Sequence, residues 1–232
     1  MQIGHILAII SFVFNVGIIL TQDTLHMQAS DPIEIVIFLA VLIMSVILHE
    51  VFHGYVAEML GDPTAKLSGR LTLNPLSHLD PVGSFLVPFI MIITGGPVFG
   101  WAKPVPYNPY NLRGGKWGPA IVAVAGPLMN LFLAIVFSQI FKYQIFSSAG
   151  VNSLLFGAIV INLSLFVVNM IPVPPIDGSK ILFAIIPDRF YFVTETLEKY
   201  SLVFILILIM FIDVIIIPAV SLLFGFLTGV IF

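Results

Sequence analysis

The feature that most restricts this chain is an apolar run that ends in three ionisable side chains. From Ile33 to Leu48 sixteen residues carry one charge, Glu34, and the run passes without a break into His49-Glu50-Val51-Phe52-His53. At roughly 1.5 Å per residue His49 lies ~24 Å along a helix that starts at Ile33, within a bilayer but near its far face. Three unpartnered ionisable groups at that depth would cost several kcal/mol, so they call for a common partner. On a helix of about 3.6 residues per turn, His49 and His53 stack one turn apart and can present both nitrogens to one cation. The spacing is the H-E-x-x-H zinc arrangement, with Glu50 beside the first ligand and placed to take a proton from a water that the metal has made acidic. The implied chemistry is hydrolysis.

Composition agrees with the membrane setting. Hydrophobic residues make up 59% of the 232 residues, charged residues 9%, and the mean hydropathy is +1.12, which leaves too little polar surface to cover a soluble domain. The bilayer is therefore the expected medium. With no cysteine the chain has no thiol nucleophile, disulfide or thiolate metal site, and its net charge of -3 is too small to suggest nucleic acid. Residues 1–20 lack a basic start and a small-x-small cleavage site, and read as a retained span rather than a signal peptide.

The expected fold class is an all-α integral membrane protein of about five to six transmembrane helices with a re-entrant or irregular loop region. Residues 1–32 would form a first transmembrane helix and link, 33–187 the core that carries the histidines and Asp177, and 188–232 a C-terminal transmembrane region. Within the core, helices are expected from Ile33 to about Leu60, stopped by Gly61-Asp62-Pro63, from Pro119 to about Phe141, and from about Val151 to Asn169. The last is broken by Pro172, Pro174 and Pro175 just before Asp177-Gly178. Val82–Ile93 has only twelve apolar residues and suits a re-entrant segment. If it turns back, Lys66, Arg70, Lys103, Arg113, Lys116, Lys180, Arg189 and Lys199 share one face and only Lys142 is opposite. Eight against one identifies that face as cytoplasmic and brings His49, His53 and Asp177 towards it; a crossing segment would give six against three. For Ser201–Phe232, interrupted at Pro218, one span plus a tail and two helices both remain open.

A hydrolytic zinc takes three protein ligands and keeps one position for water. Asp177 is the favoured third ligand, because a carboxylate on irregular backbone at membrane depth needs a partner, although Asp-Gly is also a common turn pair. Glu195 and Glu198 stand in charged surroundings, and His78 competes from a loop. Asn130 and Asn169 could donate hydrogen bonds to an unwound substrate or to its oxyanion, or could tie helices together. Gly126-Pro127 reads as a packing and kink feature, and Trp101 and Tyr107 as interfacial anchors. Asp213 has no partner that the sequence names.

Taken together, H-E-x-x-H on an apolar helix, Asn169…Pro172-x-Pro174-Pro175-x-Asp177-Gly178 and Ala125-Gly126-Pro127…Asn130 resemble the site-2 protease family of intramembrane zinc metalloproteases. Gly61-Asp62-Pro63-Thr64-Ala65, Gly69-Arg70-Leu71-Thr72-Leu73-Asn74-Pro75 and Gly100-Trp101-Ala102-Lys103-Pro104-Val105-Pro106 resemble its compact prokaryotic branch without a PDZ domain. The resemblance implies that 33–187 is a catalytic metalloprotease core built on three helices, the second to the fourth, with one zinc per chain on His49, His53 and Asp177 and Glu50 as base. It also implies transmembrane protein substrates and a multi-pass location in a prokaryotic membrane. Where the family often has Asn-Pro-Asp-Gly, this chain has Pro174-Pro175-Ile176-Asp177-Gly178, which weakens the carry-over to Asn169.

Other classes make different demands. A catalytically idle zinc-binding scaffold has no use for Glu50. A prenyl-protein-type membrane peptidase needs Glu195 or Glu198 on the metal. A zinc transporter needs a ladder of ligands, which the remaining His5 and His26 do not build.

Overall fold

The computed structural model describes residues 32–94, 103–146 and 148–230. The expected first span and link, His5, His26 and the segment Gly95–Ala102 with its Trp101 lie outside the described residues, as does the side chain of Asp213. Helix accounts for 75% of the structure, and no strand occurs among the described residues. The order is α1 (Pro32–Met59), the single turn α2 (Thr64–Leu67), a 3-10 turn (Pro75–His78), a π-helical turn (Pro81–Leu86) running into α3 (Val87–Thr94), then α4 (Trp117–Lys142) and α5 (Ala149–Asn169). After these come α6 (Gly178–Ile185), a 3-10 turn (Asp188–Phe190), α7 (Tyr191–Lys199), α8 (Ser201–Met210) and α9 (Ile212–Thr228).

Among the described residues three helices are long and apolar enough to cross a bilayer: Val36–Met59 within α1, α4 and α5, of 24, 26 and 21 residues. The described helical stretch from Pro81 to Thr94 is ~21 Å long, against a hydrocarbon core of ~30 Å. In the C-terminal stretch the break falls at Phe211, between α8 and α9, and Pro218 is carried inside α9. A proline inside an apolar helix is tolerated when neighbouring backbone and side chains satisfy the freed carbonyl; Pro127 sits inside α4 in the same way.

Helix α4 is the centre of the bundle because its buried face is built from small residues. Gly118, Ala120, Ala123, Ala125, Gly126, Ala134 and Ser138 let α1 and α5 approach closely, and such approach is what holds helices together where lipid removes the hydrophobic drive. On its other side α5 packs against α9, where Ile216, Val220 and Phe224 are fully buried and the Phe156 and Phe224 rings lie 5.0 Å apart. The C-terminal ends of α1 and α5 and the N-terminal end of α4 meet at one end of the bundle. The Arg113 N–H donates to the Leu60 carbonyl at 2.8 Å, and Lys116 approaches Asp188 at 3.9 Å.

Asp62 fastens this end. It is fully buried just past α1 and accepts from the Thr64 hydroxyl (2.5 Å), the Asn108 N–H (2.6 Å) and the Asn111 side-chain amide (2.8 Å). Burial by itself would raise its pKa, but the donors from Thr64, Asn111 and Asn108 outweigh it and hold the carboxyl below the usual carboxylate range.

Candidate metal centre

His49 and His53 lie in the second half of α1 on the face turned to α4, and both are buried. Their ring nitrogens are assigned by what they touch. The His49 Nδ1–H donates to Asn130 Oδ1 at 2.6 Å, and the His53 Nδ1–H donates to the Val122 carbonyl at 2.7 Å; both partners can only accept there, since the Asn130 amide NH2 is used elsewhere. In neutral imidazoles this leaves a lone pair on each Nε2, and the two Nε2 atoms are 3.0 Å apart.

Asp177 supplies the third group. It opens α6, yet its side chain does not cap that helix: Oδ2 lies 3.2 Å from Nε2 of His49 and 3.2 Å from Nε2 of His53. The broken end of α5 turns it inward. Past Asn169 the chain leaves the helix, with Ile171 N–H to Val168 O, Val173 N–H to Ile171 O and Ile176 N–H to Val173 O marking successive tight turns around Pro172, Pro174 and Pro175.

Three electron pairs thus face one another in a triangle with edges of 3.0, 3.2 and 3.2 Å. Without a cation they repel. Ligands at ~2.0–2.1 Å from a tetrahedral zinc stand ~3.3 Å apart, so this triangle matches one face of such a site and leaves the fourth corner open. Gly126 leaves room for it: a Cβ there would lie 2.4 Å from His53 Nε2 and 2.7 Å from His49 Nε2. His49, His53 and Asp177 are the residues that could hold a metal among the described residues.

The remaining candidates fall elsewhere. Glu195 and Glu198 are exposed on α7, with Glu198 paired to Lys180 at 3.2 Å. His78 is buried and its Nε2–H donates to the Thr72 carbonyl at 2.8 Å, away from the triangle. Glu50, next to His49, accepts the Val105 N–H on Oε2 at 3.0 Å. Asn130 is fully buried, and its NH2 donates to Asn162 Oδ1 at 3.1 Å and the Ser45 carbonyl at 3.3 Å while its Oδ1 holds His49. The Asn169 NH2 donates back to the Leu165 carbonyl at 2.8 Å. Both asparagine amides, offered by the sequence as substrate donors or helix ties, are in this structure engaged inside the bundle.

Sequence reasoning passed over Asn162, Ser45 and the Val122 carbonyl. Asn162 donates to Ser45 Oγ at 3.0 Å, which closes a polar chain from His49 through α4 and α5 back to α1. The available signal was that Ser45 and Asn162 are isolated polar residues in apolar runs, each of which needs a partner. A histidine ligand held by its second nitrogen is fixed in tautomer and angle, and loss of such a holder weakens metal binding by about 10–100-fold. Asn130→Ala is therefore expected to lower zinc affinity by about that factor, read by competition with a chromogenic chelator, while Asn169→Ala leaves it within about threefold.

The profile of "Peptidase family M50" matches residues 139–212. The chain is 36% identical over 186 residues to "Putative zinc metalloprotease YwhC" of Bacillus subtilis, covering 76% of this chain and 82% of that one. It is 29% identical over 181 residues to "Putative zinc metalloprotease Rip2" of Mycolicibacterium smegmatis (72% of this chain, 66% of that one). Against "Zinc metalloprotease MJ0392" of Methanocaldococcus jannaschii the identity is 25% over 192 residues, 83% of this chain but 44% of the relative. No solved structure matches the chain significantly.

Proposed function

The chain belongs to peptidase family M50, and from that premise we propose that it is an intramembrane zinc endopeptidase that hydrolyses peptide bonds within or near transmembrane segments of other membrane proteins. The observation that carries this reading is the triangle of His49 Nε2, His53 Nε2 and Asp177 Oδ2 at 3.0–3.2 Å with Glu50 beside it, on helices long enough to span a bilayer.

His49, His53 and Asp177 would hold the zinc, which when bound would supply Lewis acidity towards a carbonyl oxygen and a water. The chain's own groups do the rest. Glu50 accepts a proton from the attacking water and returns it to the leaving amine. Asn130 and the Val122 carbonyl keep both imidazoles in the tautomer that offers Nε2. The small-residue face of α4 excludes bulk water from the histidine side. A substrate helix must unwind before its carbonyl is accessible, because its backbone is bonded to itself. By the distribution of basic residues the site opens to the cytoplasmic side of a prokaryotic membrane, so that cleavage releases a fragment there or clears a remnant.

Purified protein incubated with a single-span membrane protein is expected to cut it, to stop when zinc is chelated, and to resume when zinc is restored. Cleavage that survives full removal of zinc would end this reading. The prenyl-type alternative is disfavoured by the exposure of Glu195 and Glu198 and by the Glu198–Lys180 pair.

A further inference from the structure

Between α3 and α4 the described chain resumes at Lys103, and it is fastened to α1 and to the turn just after it by four hydrogen bonds. The Val105 N–H reaches Glu50 Oε2 at 3.0 Å, the Asn108 N–H and the Asn111 amide reach Asp62, and the Arg113 N–H reaches the Leu60 carbonyl at 2.8 Å. On the other side the Lys103 N–H donates to the His78 carbonyl at 2.7 Å. The segment therefore runs along α1 from the level of Glu50 to its end, tied down before and after the point where it meets the carboxylate.

The sequence at that point is specific. In Pro104-Val105-Pro106 only Val105 has an N–H, since proline has none, and each proline restricts the residue before it to extended backbone. The single donor of the tripeptide goes to Glu50. The Val105 side chain is buried against α1 at Gly54, the residue after His53, where a Cβ would lie 2.7 Å from Val105 Cγ1 and 2.6 Å from Leu71 Cδ2. Gly54 is thus a notch that lets the segment come within hydrogen-bond reach of the carboxylate. With Oε2 held, Oε1 has no partner among the described residues.

We propose that the segment from Lys103 to Arg113 is a strap that sets the orientation of Glu50, with Val105 and Gly54 as its positioning residues. The proposal rests on Glu50 being the base, and it adds a second function for the loop chain: one carboxylate oxygen is clamped so that the other faces the reaction. A hydrogen bond to a charged group is worth about a factor of ten or more in the population of one geometry.

Two measurements test it on the full-length protein. In the first, Val105→Pro removes the lone donor while keeping the extended backbone, and kcat is expected to fall about tenfold with KM and bound zinc unchanged. Gly54→Ala is expected to lower kcat likewise, and Gly54→Ala/Leu71→Ala/Val105→Ala, which clears both Leu71 Cδ2 and Val105 Cγ1 from the notch while keeping the Val105 position's N–H, to recover most of it. An unchanged kcat in properly folded Val105→Pro, or a triple variant no better than Gly54→Ala, overturns the strap. The second measurement needs no activity: amide hydrogen exchange at Val105 is expected to quicken about tenfold in Glu50→Ala, while the Asn108 amide on Asp62 keeps its protection. Equal Val105 exchange in both proteins overturns the strap even if the protease reading stands. Quickened exchange in a protein that proves not to cleave would instead support the strap and refute the base.

Discussion

Glu50→Gln is expected to lower kcat by about 10³-fold while leaving one zinc per chain and the fold intact, since a positioned general base contributes ~10²–10⁴-fold. The substitution is selective for a structural reason. Glutamine keeps the length of the side chain, and its carbonyl oxygen can still accept the Val105 N–H, so the strap stays in place and only the ability to take a proton is lost. Cleavage of a single-span substrate by purified protein, with zinc measured by atomic emission on the same sample, gives both numbers. Retained cleavage would remove Glu50 from the chemistry. Lost cleavage together with lost zinc would make it a structural residue. The idle-scaffold alternative expects wild type and variant to be alike, because neither would cut.

The second large effect concerns the metal. Asp177→Ala is expected to lower zinc affinity by about 10²-fold or more, because ~10–16 kcal/mol shared over four ligands assigns ~3 kcal/mol to each. The loss goes beyond one bond. With the carboxylate gone, the two Nε2 lone pairs 3.0 Å apart face a cation without the compensating negative charge. Glu195→Ala and Glu198→Ala are expected to leave zinc unchanged, since both side chains are exposed on α7 and one is occupied by Lys180. Equilibrium dialysis of the three variants against buffered zinc separates the possibilities. The reverse pattern would shift the third ligand to α7 and the enzyme to the prenyl-type class.

Much of this was legible before any coordinates. The extents of α1, α4 and α5 follow from apolar runs and their proline and glycine stops, and the observed ends lie within two residues of those expected. The pairing of His49 with His53 needed only the pitch of one helix. The failures are of a different kind. Pro218 looked like the break in the C-terminal stretch, but the break is at Phe211, because a proline in a packed apolar helix loses less than its propensity suggests. For Asn130 the sequence left a substrate donor and a helix tie equally open, and in the structure the amide is taken up by His49, Ser45 and Asn162, residues on two other helices.

What the sequence determined by itself is whatever repeats within a few residues: the spans, the two imidazoles one turn apart, and a carboxylate beside them. It favoured Asp177 as a third group over Glu195, Glu198 and His78 without the geometry; tertiary structure decided that this carboxylate, 128 residues from His49, closes the triangle, that an asparagine on α4 fixes a ring on α1, and that a valine N–H between two prolines reaches Glu50. The physical reason is range. Helix geometry is set by neighbours three and four apart, whereas the meeting of α1, α4 and the Asp177 turn depends on how closely glycines and alanines let whole helices approach, which no local pattern records.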